Sequence, residues 1–93
     1  MKTPRILATS GGVLPGPVQM SWRLGQMVID ALALTKKDRP RVCLVETASG
    51  DMALFYSMLY EAFNEAGCDV TEMKLFLQPS ADPFERIGGS DFV

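Results

Sequence analysis

Histidine is absent from the 93 residues, and cysteine occurs only twice, as Cys43 and Cys68. Without imidazole, no serine or cysteine of this sequence has the usual general base beside it, and the commonest nitrogen ligand of zinc is missing. The two cysteines form no Cys-x-x-Cys pair, so a metal-ligand cluster is excluded and neither a metal nor another cofactor is expected. Basic charge is scarce and scattered: nine Lys and Arg face eleven Asp and Glu, for a net charge of −2, with no stripe that would follow a nucleic-acid backbone. Long apolar runs are lacking as well. No stretch approaches the roughly 20 residues a membrane-spanning helix requires. The run Ile6-Leu7-Ala8 is too short for the apolar region of an export signal. These absences set the expectation of a cytoplasmic protein with reduced thiols that binds neither nucleic acid nor membrane.

What is present is ordinary for a globular protein: 47% hydrophobic and 22% charged residues, enough for one domain over residues 1–93. At this size roughly 60 to 65% of the unfolded chain's surface can be buried, so the loss of a single strand matters. Residues 5–9, Arg-Ile-Leu-Ala-Thr, form a short apolar run stopped by Ser10-Gly11-Gly12 and predict a buried strand. Val13-Leu14-Pro15-Gly16-Pro17 predicts a loop, because proline lacks a backbone donor and glycine is conformationally loose. From about Ser21 to Leu34, Leu24, Val28, Ala31 and Leu32 recur at helical spacing, with Trp22 and Met27 widening the stripe. Gly25 inside that pattern weakens a helix by roughly 1 kcal/mol relative to Ala and points to close packing on a neighbouring backbone.

The run Lys36-Lys37-Asp38-Arg39 follows this helix and reads as a solvated charge cluster at its C-terminal end. Residues 41–47, Arg-Val-Cys-Leu-Val-Glu-Thr, predict a second strand covered on both faces. Ser49 or Asp51 is placed to cap the next helix, whose apolar set is Phe55, Met58, Leu59, Ala62, Phe63 and Ala66. Tyr56 and Tyr60 fall on another side of it, as rim residues or a partner surface. The methionines are read as core filler. Gly67 suits the left-handed residue after a helix, and a third strand, nearer the sheet edge, runs from about Asp69 to Leu77. Asp82-Pro83-Phe84-Glu85 predicts a short capped helix closed by Gly88-Gly89, and Ser90-Asp91-Phe92-Val93 leads into a fourth strand. Alternating strands and helices imply an α/β fold, three-layered, with a mostly parallel sheet flanked by helices and interrupted as the fourth strand starts.

In such sheets, ligands gather beyond the carboxyl ends of the strands. Two segments qualify: Thr9-Ser10-Gly11-Gly12 and Thr47-Ala48-Ser49-Gly50-Asp51. The first offers glycine N–H groups to an anion, or is simply a turn that needs glycine; its spacing matches neither the dinucleotide fingerprint nor the phosphate loop. Ser10, Ser49, Ser57, Ser80 and Ser90 are nominal nucleophiles, but none lies in a Gly-x-Ser-x-Gly elbow. Asp51 and Glu46 are better explained as a helix cap and a polar strand end than as an acid and base.

These loops and strands resemble the peptidase E family of serine hydrolases, which shares a three-layer α/β fold with the class I glutamine amidotransferases. The resemblance rests on Arg5-Ile-Leu-Ala-Thr-Ser-Gly-Gly12, on Arg41-Val-Cys-Leu-Val-Glu-Thr-Ala-Ser-Gly-Asp51, and on Asp82-Pro-Phe-Glu-Arg-Ile through Asp91-Phe-Val93. It implies the N-terminal portion of a peptidase acting on small peptides, either dipeptides with N-terminal aspartate or a cyanophycin-like polymer. In the family a segment like Asp91-Phe-Val leads into an oxyanion-hole stretch, and the serine nucleophile and histidine follow it. No catalytic residue is therefore assigned in this sequence, and the chain alone is expected to be inert. Ser10, Gly11, Gly12 and Ser49 are the substrate-binding candidates the resemblance supports. Two rivals stand beside it: a small flavodoxin-like ligand module using Ser10-Gly11-Gly12, and a chain that self-associates through an unpaired sheet edge.

Overall fold

The clearest helical period in the chain becomes its longest helix. The computed structural model describes residues 4–75 and 79–93, and in it α2 runs over Ala53–Glu65. Tyr56, Met58, Ala62 and Phe63 are buried on it, with Phe55 and Leu59 half-buried, while Ala66 stands exposed past its end. Its apolar side packs against a strand pair, β3 (Arg41–Leu44) and β4 (Asp69–Glu72), which run parallel with Val42 opposite Val70. A parallel pair needs a crossover, and α2 is that crossover. Gly67 takes the turn out of the helix at φ +86°, a left-handed value at which a side chain is strained.

β3 is the centre of this layer. On one side it pairs with β4; on the other it meets Phe92 in a single parallel bridge, with Cys43 N–H donating to Phe92 O at 2.9 Å and Phe92 N–H to Arg41 O at 3.1 Å. Val42 and Cys43 are 1% exposed, as a strand covered on both faces requires. The core gathers Leu24, Leu32, Val42, Leu44, Tyr56, Ala62, Phe63 and Cys68, with Val28, Val70 and Phe92 packed against it. Beyond β4, Met73 is wholly buried. The thiols of Cys43 and Cys68 are free, and burial raises the pKa of Cys68.

The N-terminal third departs from the pattern reading. Residues 5–9 form no strand; they are exposed, and Ile6 is 95% open to solvent. On that side of β3, Arg41 O and the Cys43 N–H already bond to Phe92 and its neighbour Asp91, so the edge this run would join is partly taken. The predicted loop instead holds β1 (Val13–Pro15), paired antiparallel with β2 (Trp22–Leu24). Gly16 N–H donates to Ser21 O at 2.9 Å and closes the connection. Proline is tolerated in so short a pair because every strand in it is an edge. Helix α1 (Gln26–Ala33) consequently starts after the point where the apolar period does. Trp22 leaves the helical stripe to stack on Phe55, ring centroids 5.6 Å apart, and Leu24 enters the core.

The close approach read from Gly25 is present. Its N–H donates to Gly12 O at 2.8 Å, and a Cβ at position 25 would lie 3.0 Å from that same oxygen. The C-terminal pieces follow the prediction more closely. Helix α3 (Pro83–Gly88) opens with the Asp82 carboxylate accepting from Phe84 N–H at 3.0 Å and with Pro83 in the first turn. β4 is shorter than the strand expected over 69–77, and Phe76, Leu77 and Gln78 lie outside the described residues. Arg86 of α3 reaches back to Glu72 O at 2.8 Å, on the side of β4 away from β3. Asp91 accepts from Arg41 N–H at 2.9 Å and pairs with the Arg41 guanidinium at 3.5 Å.

The described residues thus make an α/β arrangement of helices on two small two-stranded sheets, one antiparallel and one parallel. Met58 and Met73 serve the core as expected, whereas Met20, Met27 and Met52 are exposed. Among the described residues, no helix is long and apolar enough to cross a membrane.

Candidate functional site

The loop leaving the carboxyl end of β3 is the most organised polar feature of the fold. After Leu44 the chain turns through a 3-10 segment, Thr47–Ser49, then through Gly50 and Asp51, both at positive φ, before α2 begins. Glu46 O is the hub of the turn: it accepts from Ser49 N–H at 3.0 Å, from Ser49 Oγ at 2.9 Å and from Asp51 N–H at 3.1 Å. Neither Ser49 nor Asp51 caps α2. The N-cap is Met52, with no side-chain cap, because the hydroxyl of Ser49 turns back to Glu46 and Asp51 turns toward Tyr56.

Tyr56 ties this loop to the sheet. Its buried hydroxyl accepts from Glu46 N–H at 3.0 Å and has two acceptors for its one proton, Asp51 Oδ1 at 3.1 Å and Met73 O at 3.2 Å. The ends of β3 and β4 and the turn between β3 and α2 therefore meet at one oxygen. Burial raises the Tyr56 pKa, against the N–H of Glu46, which lowers it, and the Asp51 carboxylate adds to the rise. The Glu46 carboxyl is also held above its ordinary pKa, first by burial and then by the charge of Asp51.

Tyr56, expected at a rim or partner surface, is 5% exposed, whereas Tyr60 is 51% exposed. The signal for Tyr56 was available. It stands seven residues before Phe63 and three before Leu59 on a firmly helical segment, which puts it on the buried face.

The other candidates lie at the hairpin. Ser10 and Gly11 are exposed, and Gly11 takes φ +100° in the turn that brings the chain to Gly12. The Thr9 hydroxyl donates to Gly11 O. Gly12 is fixed against the start of α1 through Gly25, and a Cβ there would stand 3.0 Å from Val28 Cγ2. Ser10, Gly11 and Gly12 thus belong to the junction of hairpin and α1, and Ser49 to the β3 turn. The bonds of Gly12 and Ser49 run to different neighbours, Gly25 and Glu46. Among the described residues, no group of three or more His, Cys, Asp or Glu side chains is arranged to hold a metal ion.

The chain is similar in part to a peptidase. The "Uncharacterized peptidase YgaJ" of Bacillus subtilis (strain 168) is 38% identical over 48 residues, which is 52% of this chain and 21% of that protein. The matched stretch is therefore about a fifth of the relative's length. No protein-family profile matches the chain, and no solved structure does. The match supports a relationship to peptidases without reaching the narrower peptidase E assignment.

Proposed function

We propose that these residues supply scaffold and substrate-side loops to a cytoplasmic serine peptidase of the peptidase E kind, which cleaves dipeptides beginning with aspartate. The partial identity to a peptidase carries this reading. It is supported by a parallel β3–β4 pair joined through α2, the unit from which a three-layer, mostly parallel sheet is built, and by a bonded turn at the carboxyl end of β3. In this reading Ser10, Gly11, Gly12 and Ser49 line the substrate side.

The same chemistry makes the 93-residue chain inert by itself. Acyl transfer through serine needs a hydroxyl beside a proton acceptor, and the sequence has no histidine. The hydroxyl of Ser49 is engaged with Glu46 O, and the Asp51 carboxylate accepts from the Tyr56 hydroxyl.

The test is a chimaera in which the matched stretch of this chain replaces its counterpart in the Bacillus peptidase. Where the parent hydrolyses an N-terminal aspartyl dipeptide, the chimaera is expected to do so too, while the 93-residue chain alone gives none. A folded chimaera without turnover beside an active parent refutes the reading, as does turnover by the isolated chain.

A further inference from the structure

A small cleft of about 230 Å³ opens beside the carboxyl end of β4, between α2 and the residues that follow the strand. Ala53, Tyr56, Ser57 and Tyr60 form one wall; they recur at helical spacing and so share one face of α2. Glu72, the last residue of β4, and Lys74 form the other wall. In parallel sheets this end of the strands is where ligands collect. The volume falls below the roughly 300 to 1,000 Å³ of cavities that take drug-sized molecules, so the occupant is small.

The lining carries one charge of each sign. Lys74 Nζ stands 3.4 Å from Glu72 Oε1, and both side chains are 45% exposed. That separation is longer than the roughly 2.7 to 2.9 Å of a charge-assisted hydrogen bond. An ion pair so open to water contributes little, so little is lost when it parts. The Lys74 ammonium lies 6.0 Å from the centre of the Tyr56 ring, whose negative face holds the cation at the cleft. Tyr60, 51% exposed, offers ring surface and a hydroxyl, and Ser57 a second hydroxyl.

A ligand with a single charge meets repulsion from one member of this pair whichever sign it carries. A molecule bearing both charges on neighbouring groups meets attraction from both, and an α-amino acid carries its ammonium and carboxylate on one carbon. We propose that the cleft binds a free α-amino acid with a small uncharged side chain, its carboxylate accepting from Lys74 and its ammonium donating to Glu72. The Tyr60 ring packs on the ligand's side chain. The lining shares no residue with Ser10, Gly11, Gly12 and Ser49, so the site stands apart from the peptidase reading. Where that reading also holds, the ligand belongs to the class of molecule that dipeptide cleavage releases.

L-Alanine is titrated into the 93-residue chain and the amide shifts are followed by nuclear magnetic resonance, so that binding is read without turnover. Saturable shifts are expected at Ser57, Tyr60 and Lys74. N-acetyl-L-alanine, which lacks the ammonium, and L-alaninamide, which lacks the carboxylate, should each bind more weakly by about tenfold or more. Lys74→Met and Glu72→Gln should each weaken L-alanine binding by about tenfold, whereas Glu85→Gln, exposed on α3 and outside the lining, should not alter it. If either cleft variant fails to fold, the two analogues decide the matter. No saturation by roughly 50 mM L-alanine overturns the proposal, as does equal affinity for alanine and either analogue, or unchanged binding in either folded cleft variant.

Discussion

Replacing Tyr56 with Phe removes one oxygen and leaves the ring that fills the core. That oxygen accepts the Glu46 N–H at 3.0 Å and donates its single proton either to Asp51 Oδ1 at 3.1 Å or to Met73 O at 3.2 Å. A phenol has one proton, so the hydroxyl makes two bonds at any instant, not three. A net contribution of about 1 kcal/mol for the accepted bond and ~1 to 2 kcal/mol for a donated bond shared with a carboxylate gives a loss of about 2 to 3 kcal/mol. In a domain of this size that lowers the melting temperature by roughly 8 to 20 °C, measured by far-ultraviolet circular dichroism. The effect has a location too. Amide exchange should accelerate across residues 46–51, while the amides of Ala62 and Phe63, two turns further along α2, keep their relative protection. Melting of Tyr56→Phe within about 2 °C of the parent, with unchanged exchange at Glu46, would show that the turn stands without this hydroxyl.

Gly25→Ala brings a Cβ to 3.0 Å from Gly12 O, and since the obstacle is backbone the junction of hairpin and α1 must shift; a loss of about 1 to 2 kcal/mol in urea unfolding is expected, and a neutral result would deny the close approach. Asp91 has its pKa lowered, first by the Arg41 N–H and further by the Arg41 guanidinium, so its contribution is present above its unfolded-state pKa and lost as pH falls through the lower folded one. Asp91→Asn should therefore flatten the acid side of the stability profile, and an unchanged slope would refute that. Glu46 has the opposite sign: its raised pKa makes its contribution full below the unfolded-state pKa and lost as pH rises through the folded one, so Glu46→Gln should remove that decline. Arg86→Ala uncovers Glu72 O at the outer side of β4, and light scattering should detect more self-association than in the parent chain; equal scattering would mean that Arg86 does not guard the edge.

What was legible in the sequence follows the range of the interactions involved. Helix α3 was readable because its signals are local: Asp82, Pro83 and the closing glycines act within one turn. Helix α2 was readable because its apolar period is long, and Gly25 because a glycine within a helical pattern has few other uses. The hairpin was not. Pro15 and Gly16 argue against a ladder on any local rule, and only the docking of Trp22 on Phe55 and of Leu24 in the core shows what β1 and β2 gain by pairing. Tyr56 is a different case: its spacing from Leu59 and Phe63 along α2 already calls for burial, without any non-local information. In the candidate site, Ser49 was singled out as a polar residue after a strand, but its bond to Glu46 and the convergence on Tyr56 depend on where β4 ends.

The contest at the edge of β3 explains the largest departure. Residues 5–9 have the composition of a buried strand and are exposed, while Phe92, near the other end of the chain, holds the edge through its bridge to Val42. Burial of an apolar run is favourable wherever it occurs, but ladder bonds are available only where an edge is free.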